Sequence, residues 1–340
     1  MTDATRRSRA IYRDIALYSP DRTPCCIDLS DNTNAWGMPP ASRDAISDCA
    51  PSSRYPSVYA ARLKDALSDY IGLPPESITT GCGSDDVLDS AIRAFADSGD
   101  RIAFPEPTFP MIPIFARMNG LSPVPCALED TVSSDARIIY LCSPNNPTGL
   151  SIERGLIEEI LRRSSDSQII IVDEAYAEFA ETDVRDLVDR CDRLIVTRTM
   201  SKAFGLAGLR VGYAFGHAQL IAEIEKSRGP YKVSAIAELA AVAALTTGRP
   251  WVDEHIGLVI ANRRRFEEEL FDRGLLPLRS SANFVFFAIE RAAEIARAMR
   301  SREVAVRAFD KPSGLRITIG PWPQMIETLS AFDEARRECE

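Results

Sequence analysis

Between residues 39 and 245 the apolar positions alternate between two periods. Arg101 to Phe104, Arg137 to Leu141, Ile169 to Val172, Leu194 to Val196 and Val211 to Phe215 are short apolar runs. Strands buried on both faces read this way. Between such runs, Tyr59 to Tyr70 and Asp86 to Phe95 carry apolar residues at helical spacing. The alternation predicts an α/β fold with a largely parallel sheet and crossover helices. Two later runs, Asn283 to Phe287 and Leu315 to Ile319, predict a smaller C-terminal α/β domain. The break at Thr246-Thr247-Gly248-Arg249-Pro250 is the natural boundary. This gives an N-terminal arm and pocket-mouth loop (1–38), a large domain (39–246) and a small domain (247–340).

Composition narrows the class without naming a function. The apolar share of 45% and charged share of 26% are those of a globular protein, and 340 residues suffice for more than one domain. A net charge of -9 argues against nucleic-acid or anionic-membrane partners. An anionic ligand must therefore be gathered by local arginines. No apolar run reaches the length of a membrane span, and no charged-then-apolar leader opens the chain. Cys25, Cys26, Cys49, Cys82, Cys126, Cys142, Cys191 and Cys339 form no Cys-x-x-Cys pair and have no histidine at ligand spacing. Neither a metal site nor a disulfide framework is expected, and reduced thiols of the cytoplasm are. His217 and His255, the two histidines, are expected to be structural. Arg263-Arg264-Arg265 is expected on a solvated helix face.

Four segments carry chemistry, each at a predicted strand exit. Leu194-Ile195-Val196 runs into Thr199-Met200-Ser201-Lys202-Ala203-Phe204-Gly205-Leu206-Ala207-Gly208-Leu209-Arg210. That places a lysine suited to Schiff-base chemistry among groups a phosphate requires. A strand, a turn and a surface lysine is the bland alternative. Ile169 to Val172 ends in Asp173, a carboxylate costly to bury unless a cation meets it, with Tyr176 three residues on. Capping of a following helix is the alternative for Asp173. Ile138 to Cys142 leads into Ser143-Pro144-Asn145-Asn146-Pro147-Thr148-Gly149, a turn presenting the Asn146 amide. Gly81-Cys82-Gly83-Ser84-Asp85 opens a helix whose first amides suit an anion. It lacks the Gly-Lys-Ser/Thr ending of a nucleotide P-loop.

Together these segments resemble the fold-type-I pyridoxal-phosphate aminotransferases, the histidinol-phosphate branch above all. The likeness runs from about Tyr18 to about Gly320. It takes in Arg54-Tyr55-Pro56, Pro107-Thr108-Phe109, Arg228-Gly229-Pro230-Tyr231, Ser281-Ala282-Asn283-Phe284 and Gly314-Leu315-Arg316-Ile317-Thr318-Ile319-Gly320. It implies a mostly parallel seven-stranded sheet and pyridoxal 5'-phosphate held by Lys202, which also shuttles the proton. That role needs an amine of lowered pKa, expected from burial and Arg210.

By the same resemblance, Asp173 pairs with the ring nitrogen, Asn146 and Tyr176 bond the ring oxygen, and Phe109 covers a ring face. Gly83, Ser84 and Asp85, with Thr199, Ser201 and Arg210, hold the phosphate. Tyr55 completes that site from a neighbouring subunit, which implies a homodimer. Arg316, Arg307, Tyr18, Tyr231 and Asn34 are the implied substrate contacts. The implied reaction is transamination from L-histidinol phosphate to 2-oxoglutarate in histidine biosynthesis. An aromatic or other aminotransferase, or a phosphothreonine-decarboxylase-like lyase, is the alternative on the same scaffold. A cofactor-binding regulatory module would need a DNA-binding or partner domain, and no segment is spare for one.

Three departures from the family pattern bear on substrate. Asn32-Thr33-Asn34-Ala35-Trp36-Gly37 stands where Asn-Glu-Asn-Pro-Tyr-Gly is usual, so a carboxylate is lost and a larger aromatic gained. Lys232 replaces a usual asparagine. Cys82 stands where asparagine or alanine is common.

Overall fold

The computed structural model describes residues 7–13, 15–17, 23–47 and 53–339. After a two-residue strand, β1 (Ile27–Asp28), seven strands build the central sheet: β2 (Ile78–Cys82), β3 (Arg101–Pro105), β4 (Ser122–Cys126), β5 (Ile138–Cys142), β6 (Ile169–Asp173), β7 (Leu194–Thr199) and β8 (Val211–Gly216). Their spatial order is β2-β8-β7-β6-β5-β3-β4. Strands β4, β3, β5, β6 and β7 run parallel to one another, as the alternation predicts. Strand β8 runs against both β7 and β2. Residues 200–210 join β7 to β8 as a tight loop with no crossover helix, and a short connection can only return antiparallel. That loop carries Lys202.

Helices α1 (Pro40–Ser47), α2 (Ala61–Ile71), α3 (Ser84–Phe95), α4 (Met111–Met118), α5 (Arg154–Arg163), α6 (Ala218–Arg228) and α7 (Ala235–Leu245) accompany this sheet. Alternation along β5 shows how both faces are covered. Ile139 and Leu141 enter one apolar core, whereas Ile138, Tyr140 and Cys142 enter the other with Val87, Leu88 and Ile92 of α3. Each such side chain, fully buried, contributes roughly 1.5–3 kcal/mol of transfer free energy.

The C-terminal part holds α8 (Arg249–Asp272), β9 (Phe284–Ala288), α9 (Ala292–Arg300), β10 (Val304–Ala305), β11 (Arg307–Asp310), β12 (Ser313–Thr318) and α10 (Trp322–Cys339). Strands β11, β12 and β9 form an antiparallel sheet in that order, and β10 pairs in parallel with β1. Phe284, Phe287 and Leu315 share one apolar cluster with Ile139 and Val172, so a continuous core joins the two sheets. We propose the domain division at residues 246–248, where α7 has ended and α8 has yet to begin.

One sequence expectation needs correction, and one alternative reading falls away. Arg263 does not lie on a solvated face. It is buried and donates through Nη1 to the carbonyl of Ala282 at 2.6 Å, while Arg265 lies over the Trp322 ring. The spacing shows one amphipathic helix but not which side meets the small sheet. Asp173 caps no α-helix: it is the last residue of β6, and a short 3-10 turn (Ala177–Phe179) follows. His217 caps α6 through Nδ1, and His255 stacks on Trp251, so both are structural. The seven cysteines among the described residues are free thiols, and Cys49 lies outside them. Among the described residues, no His/Cys/Asp/Glu group is placed to hold a metal ion, and no helix is long and apolar enough to cross a membrane.

Candidate active site

A parallel sheet brings the ends of its strands to one edge, and loops there form the ligand crevice. In this protein β2, β5, β6 and β7 deliver Ser84, Asn146, Asp173 and Lys202 to a cavity of about 650 Å³. Asp85, Phe109, Tyr176, Thr199, Ser201, Arg210, Arg307 and Arg316 also line it. Residues scattered over more than 200 positions of sequence therefore share one space.

Lys202 is held by its surroundings. Its Nζ donates to the backbone carbonyl of Asp31 at 2.9 Å and lies 5.9 Å from the Tyr176 ring centroid. Burial, then the Arg316 cation, pushes its amine down to about 8, while Asp31 and Asp85 pull the other way. Arg210, expected from the sequence as the main charge acting here, has a smaller influence than Arg316. The turn bearing Lys202 is clamped from outside. Asn34 Nδ2 donates to the Ala203 carbonyl at 3.1 Å, and a Cβ on Gly205 would overlap the carbonyl of Gly37.

Asp173 is buried and meets two neutral donors, the Tyr140 hydroxyl at 2.8 Å and the Thr197 hydroxyl at 3.1 Å. Burial outweighs both and raises its carboxyl to about 6. Such a group is poised for a cation arriving from the cavity. Tyr176 accepts a hydrogen bond from Asn32 Nδ2 at 3.0 Å, and burial holds its phenol at about 12, so it keeps its proton at neutral pH. Asn146 Oδ1 accepts from Arg316 Nη1 at 2.6 Å.

A further part of the cavity lining groups donors that suit an anion into a cradle. Helix α3 starts at Ser84 behind Gly83, which has φ 82° and no side chain to cap the first amides. Those amides lack intrahelical partners and sit at the positive end of the helix dipole. Arg210 Nη1 approaches Ser201 Oγ at 3.4 Å, and the Thr199 hydroxyl donates to Ser201 Oγ at 3.0 Å. The Arg210 guanidinium packs so closely over Gly83 that a Cβ there would overlap it.

The third wall comes from the small sheet. Arg307 of β11 and Arg316 of β12 are directly opposed, and both line the cavity with Phe309. Arg316 is buried, donates to the Ser30 carbonyl at 2.6 Å and sits over the Phe284 and Phe309 rings.

Four expected site residues, Gly83, Asn34, Tyr55 and Tyr231, do not line the cavity. Gly83 supports the cradle from beneath without lining the cavity. Asn34 serves the clamp, and the neighbouring Asn32 reaches Tyr176 instead. Tyr55 is 82% exposed and stacks on Tyr231, with ring centroids 4.8 Å apart, outside the cavity of its own chain. Tyr18 lies outside the described residues. The sequence reading missed Asn32, Tyr140, Thr197 and Phe309. Only Phe309 had a signal, since it shares a strand face with Arg307 two residues earlier.

Pyridoxal phosphate meets a matching donor set here: a half-buried amine of lowered pKa, a buried carboxyl without a cation, and an uncapped helix start flanked by hydroxyls and an arginine. The model of the family "Aminotransferase class I and II" matches residues 24–331. An aromatic amino acid aminotransferase of Corynebacterium efficiens is 36% identical over 92% of this chain and 94% of its own length. A histidinol-phosphate aminotransferase of Carboxydothermus hydrogenoformans is 34% identical over 91% of this chain and 89% of its own. The crystal structure of a histidinol-phosphate aminotransferase from Sinorhizobium meliloti, in complex with pyridoxal 5'-phosphate, superposes with a TM-score of 0.86 at 26% identity and covers 98% of each chain. The protein thus belongs to the class I and II aminotransferases, fold-type-I enzymes that work with pyridoxal 5'-phosphate.

Proposed function

We propose that this aminotransferase takes an amine bearing an anionic group, with L-histidinol phosphate as donor and 2-oxoglutarate as acceptor. The observation that carries this reading is the placement of Arg307 opposite Arg316 at one cavity wall. A bidentate guanidinium suits a phosphate or a carboxylate, and two of them suit a phosphate dianion or the two carboxylates of 2-oxoglutarate. Histidine biosynthesis in the cytoplasm is the setting that follows. A homodimer is part of the same reading. The stacked Tyr55 and Tyr231, with Val58 beside them, put apolar side chains on the surface for a second copy to cover.

The bound cofactor supplies an electron sink for the bond broken at the substrate's α-carbon. Nζ of Lys202 would hold the cofactor and, once free, would move the proton released at the substrate's α-carbon, a task suited to an amine held at about 8. Asp173, its carboxylate fixed by Tyr140 and Thr197, would keep a proton on the ring nitrogen. With the cofactor bound, Tyr176 and Asn146 would bond its ring oxygen, Phe109 would cover a ring face, and Ser84, Asp85, Thr199, Ser201 and Arg210 would hold its phosphate.

A second reading, an aromatic amino acid as donor, draws on Phe309 and Phe109 in the same cavity and on the Corynebacterium relative. A single-turnover absorbance titration of the cofactor-loaded protein separates the two. Bleaching of the yellow form by L-histidinol phosphate, reversed by 2-oxoglutarate, is the expected result. Bleaching by phenylalanine or tyrosine alone would replace the donor and leave the transaminase standing.

A further inference from the structure

Lys232 lies between α6 and α7, and its Nζ donates to Oδ1 of Asp86 at 2.9 Å. Asp86 is the third residue of α3. Its other oxygen accepts the backbone N–H of Cys82 at 2.9 Å, and a Cβ on Gly81 would stand 2.8 Å from it. This carboxylate braces the turn from Gly81 to Ser84, whose amides form the anion cradle. It is also a fixed negative charge within one helical turn of the place where an anion must sit. Asp85 adds a second, and Arg210, shared with Asp85 at 3.4 Å, cannot answer both in full.

We propose that Lys232 is a positioning residue of the cofactor site. It neutralises Asp86, so that the carboxylate braces the cradle without repelling the phosphate. The inference rests on the assignment of this cradle to the cofactor phosphate. Lys232 acts through Asp86 and does not itself line the cavity. The same link fastens the Tyr55–Tyr231 stack to the cradle. Tyr231 precedes Lys232, holds φ 60° and donates its N–H to the Val58 carbonyl at 2.9 Å. Because the Lys232 side chain is 36% exposed, its charge is partly screened and its effect depends on salt.

The test is the dissociation constant of pyridoxal phosphate, read by absorbance titration of cofactor-stripped protein at low and high ionic strength. Lys232→Met is expected to weaken binding by about two- to fivefold at low salt, a penalty that shrinks at high salt. Lys232→Arg keeps the affinity, and Asp86→Asn/Lys232→Met regains it because the charge to be neutralised is gone. Unchanged affinity in Lys232→Met, or a double variant as weak as the single one, overturns the proposal. Lys232→Gln is the second variant should the methionine protein fail to fold. Arg210→Met tests the underlying assignment separately. If Arg210→Met leaves the affinity intact, the cradle does not hold the phosphate. If it weakens binding while Lys232→Met does not, only the role of Lys232 falls.

Discussion

Arg307 of β11 faces Arg316 of β12 directly across an antiparallel pair, and both side chains reach the same cavity. Like charges in opposed positions repel. Arg316 offsets part of its own cost by donating to Asn146 and to the Ser30 carbonyl, and by lying over the Phe284 and Phe309 rings. On the proposed reading, one anion answers both guanidinium groups.

Arg307→Met therefore separates the two donor readings. Loss of one charge-assisted contact is expected to lower kcat/KM for L-histidinol phosphate by about 10- to 100-fold. The value for phenylalanine should stay within about threefold, since its single carboxylate is answered by Arg316 alone. An equal loss for both donors, measured in parallel steady-state assays, would remove the phosphate from the Arg307 site.

Lys202 gives a prediction about stability. Its folded-state pKa of about 8 is below the ordinary 10.5. Between those values the folded cofactor-free protein binds fewer protons than the unfolded chain, so its stability rises with pH across that window. Below pH 8 the cost of burying the cation is present in full. Lys202→Met removes that cost, and the stripped variant is expected to exceed the parent by roughly 2–3 kcal/mol at pH 7. Urea melts at pH 7 and pH 10 check it: the gap should narrow at the higher pH, and no gap at pH 7 contradicts the burial.

Asp173 behaves oppositely in sign, because burial lifts its carboxyl from 3.8 to about 6. The folded stripped protein binds more protons than the unfolded chain over that range, so its stability falls as pH rises through it. Asp173→Asn abolishes this slope and raises the stability of the stripped protein above pH 6. Without the carboxylate to hold a proton on the ring nitrogen, the loaded variant is expected to lose about 100-fold or more in kcat. Retention of full activity would show that Asp173 does not serve the ring.

The residues legible in the sequence are those whose backbone position settles their place. Asn146, Asp173 and Lys202 each follow an apolar run, so their arrival at one sheet edge follows from parallel order alone. Tyr140 was not legible as a partner of Asp173, because that contact depends on β5 lying beside β6 in space. Asn32 and Asn34 are alike in sequence, yet Asn32, with its left-handed φ of 57°, reaches Tyr176 and Asn34 reaches the Ala203 carbonyl. The rank of Arg316 over Arg210 as the charge acting on Lys202 likewise depends on how the small sheet closes over the large one.

Gly212 connects the sheet to the cradle. It lies on β8 opposite Gly81 of β2 and Thr199 of β7, three positions that meet beneath the anion site. A Cβ at 212 would overlap the Ser84 amide nitrogen and the Gly83 carbonyl carbon and stand 2.7 Å from Ser84 Cα. All three are backbone atoms, so no rotamer change relieves the clash, and the start of α3 must shift. Gly212→Ala is expected to destabilise the protein by about 1–3 kcal/mol and to weaken cofactor binding, because the displaced amides are the cradle's own donors. Gly155→Ala is the control: it is exposed near the start of α5, and its added Cβ meets nothing within 4 Å. If Gly212→Ala loses stability but binds the cofactor as the parent does, the position matters only for packing, and the anion must be held by the side chains of Thr199, Ser201 and Arg210 rather than by the helix.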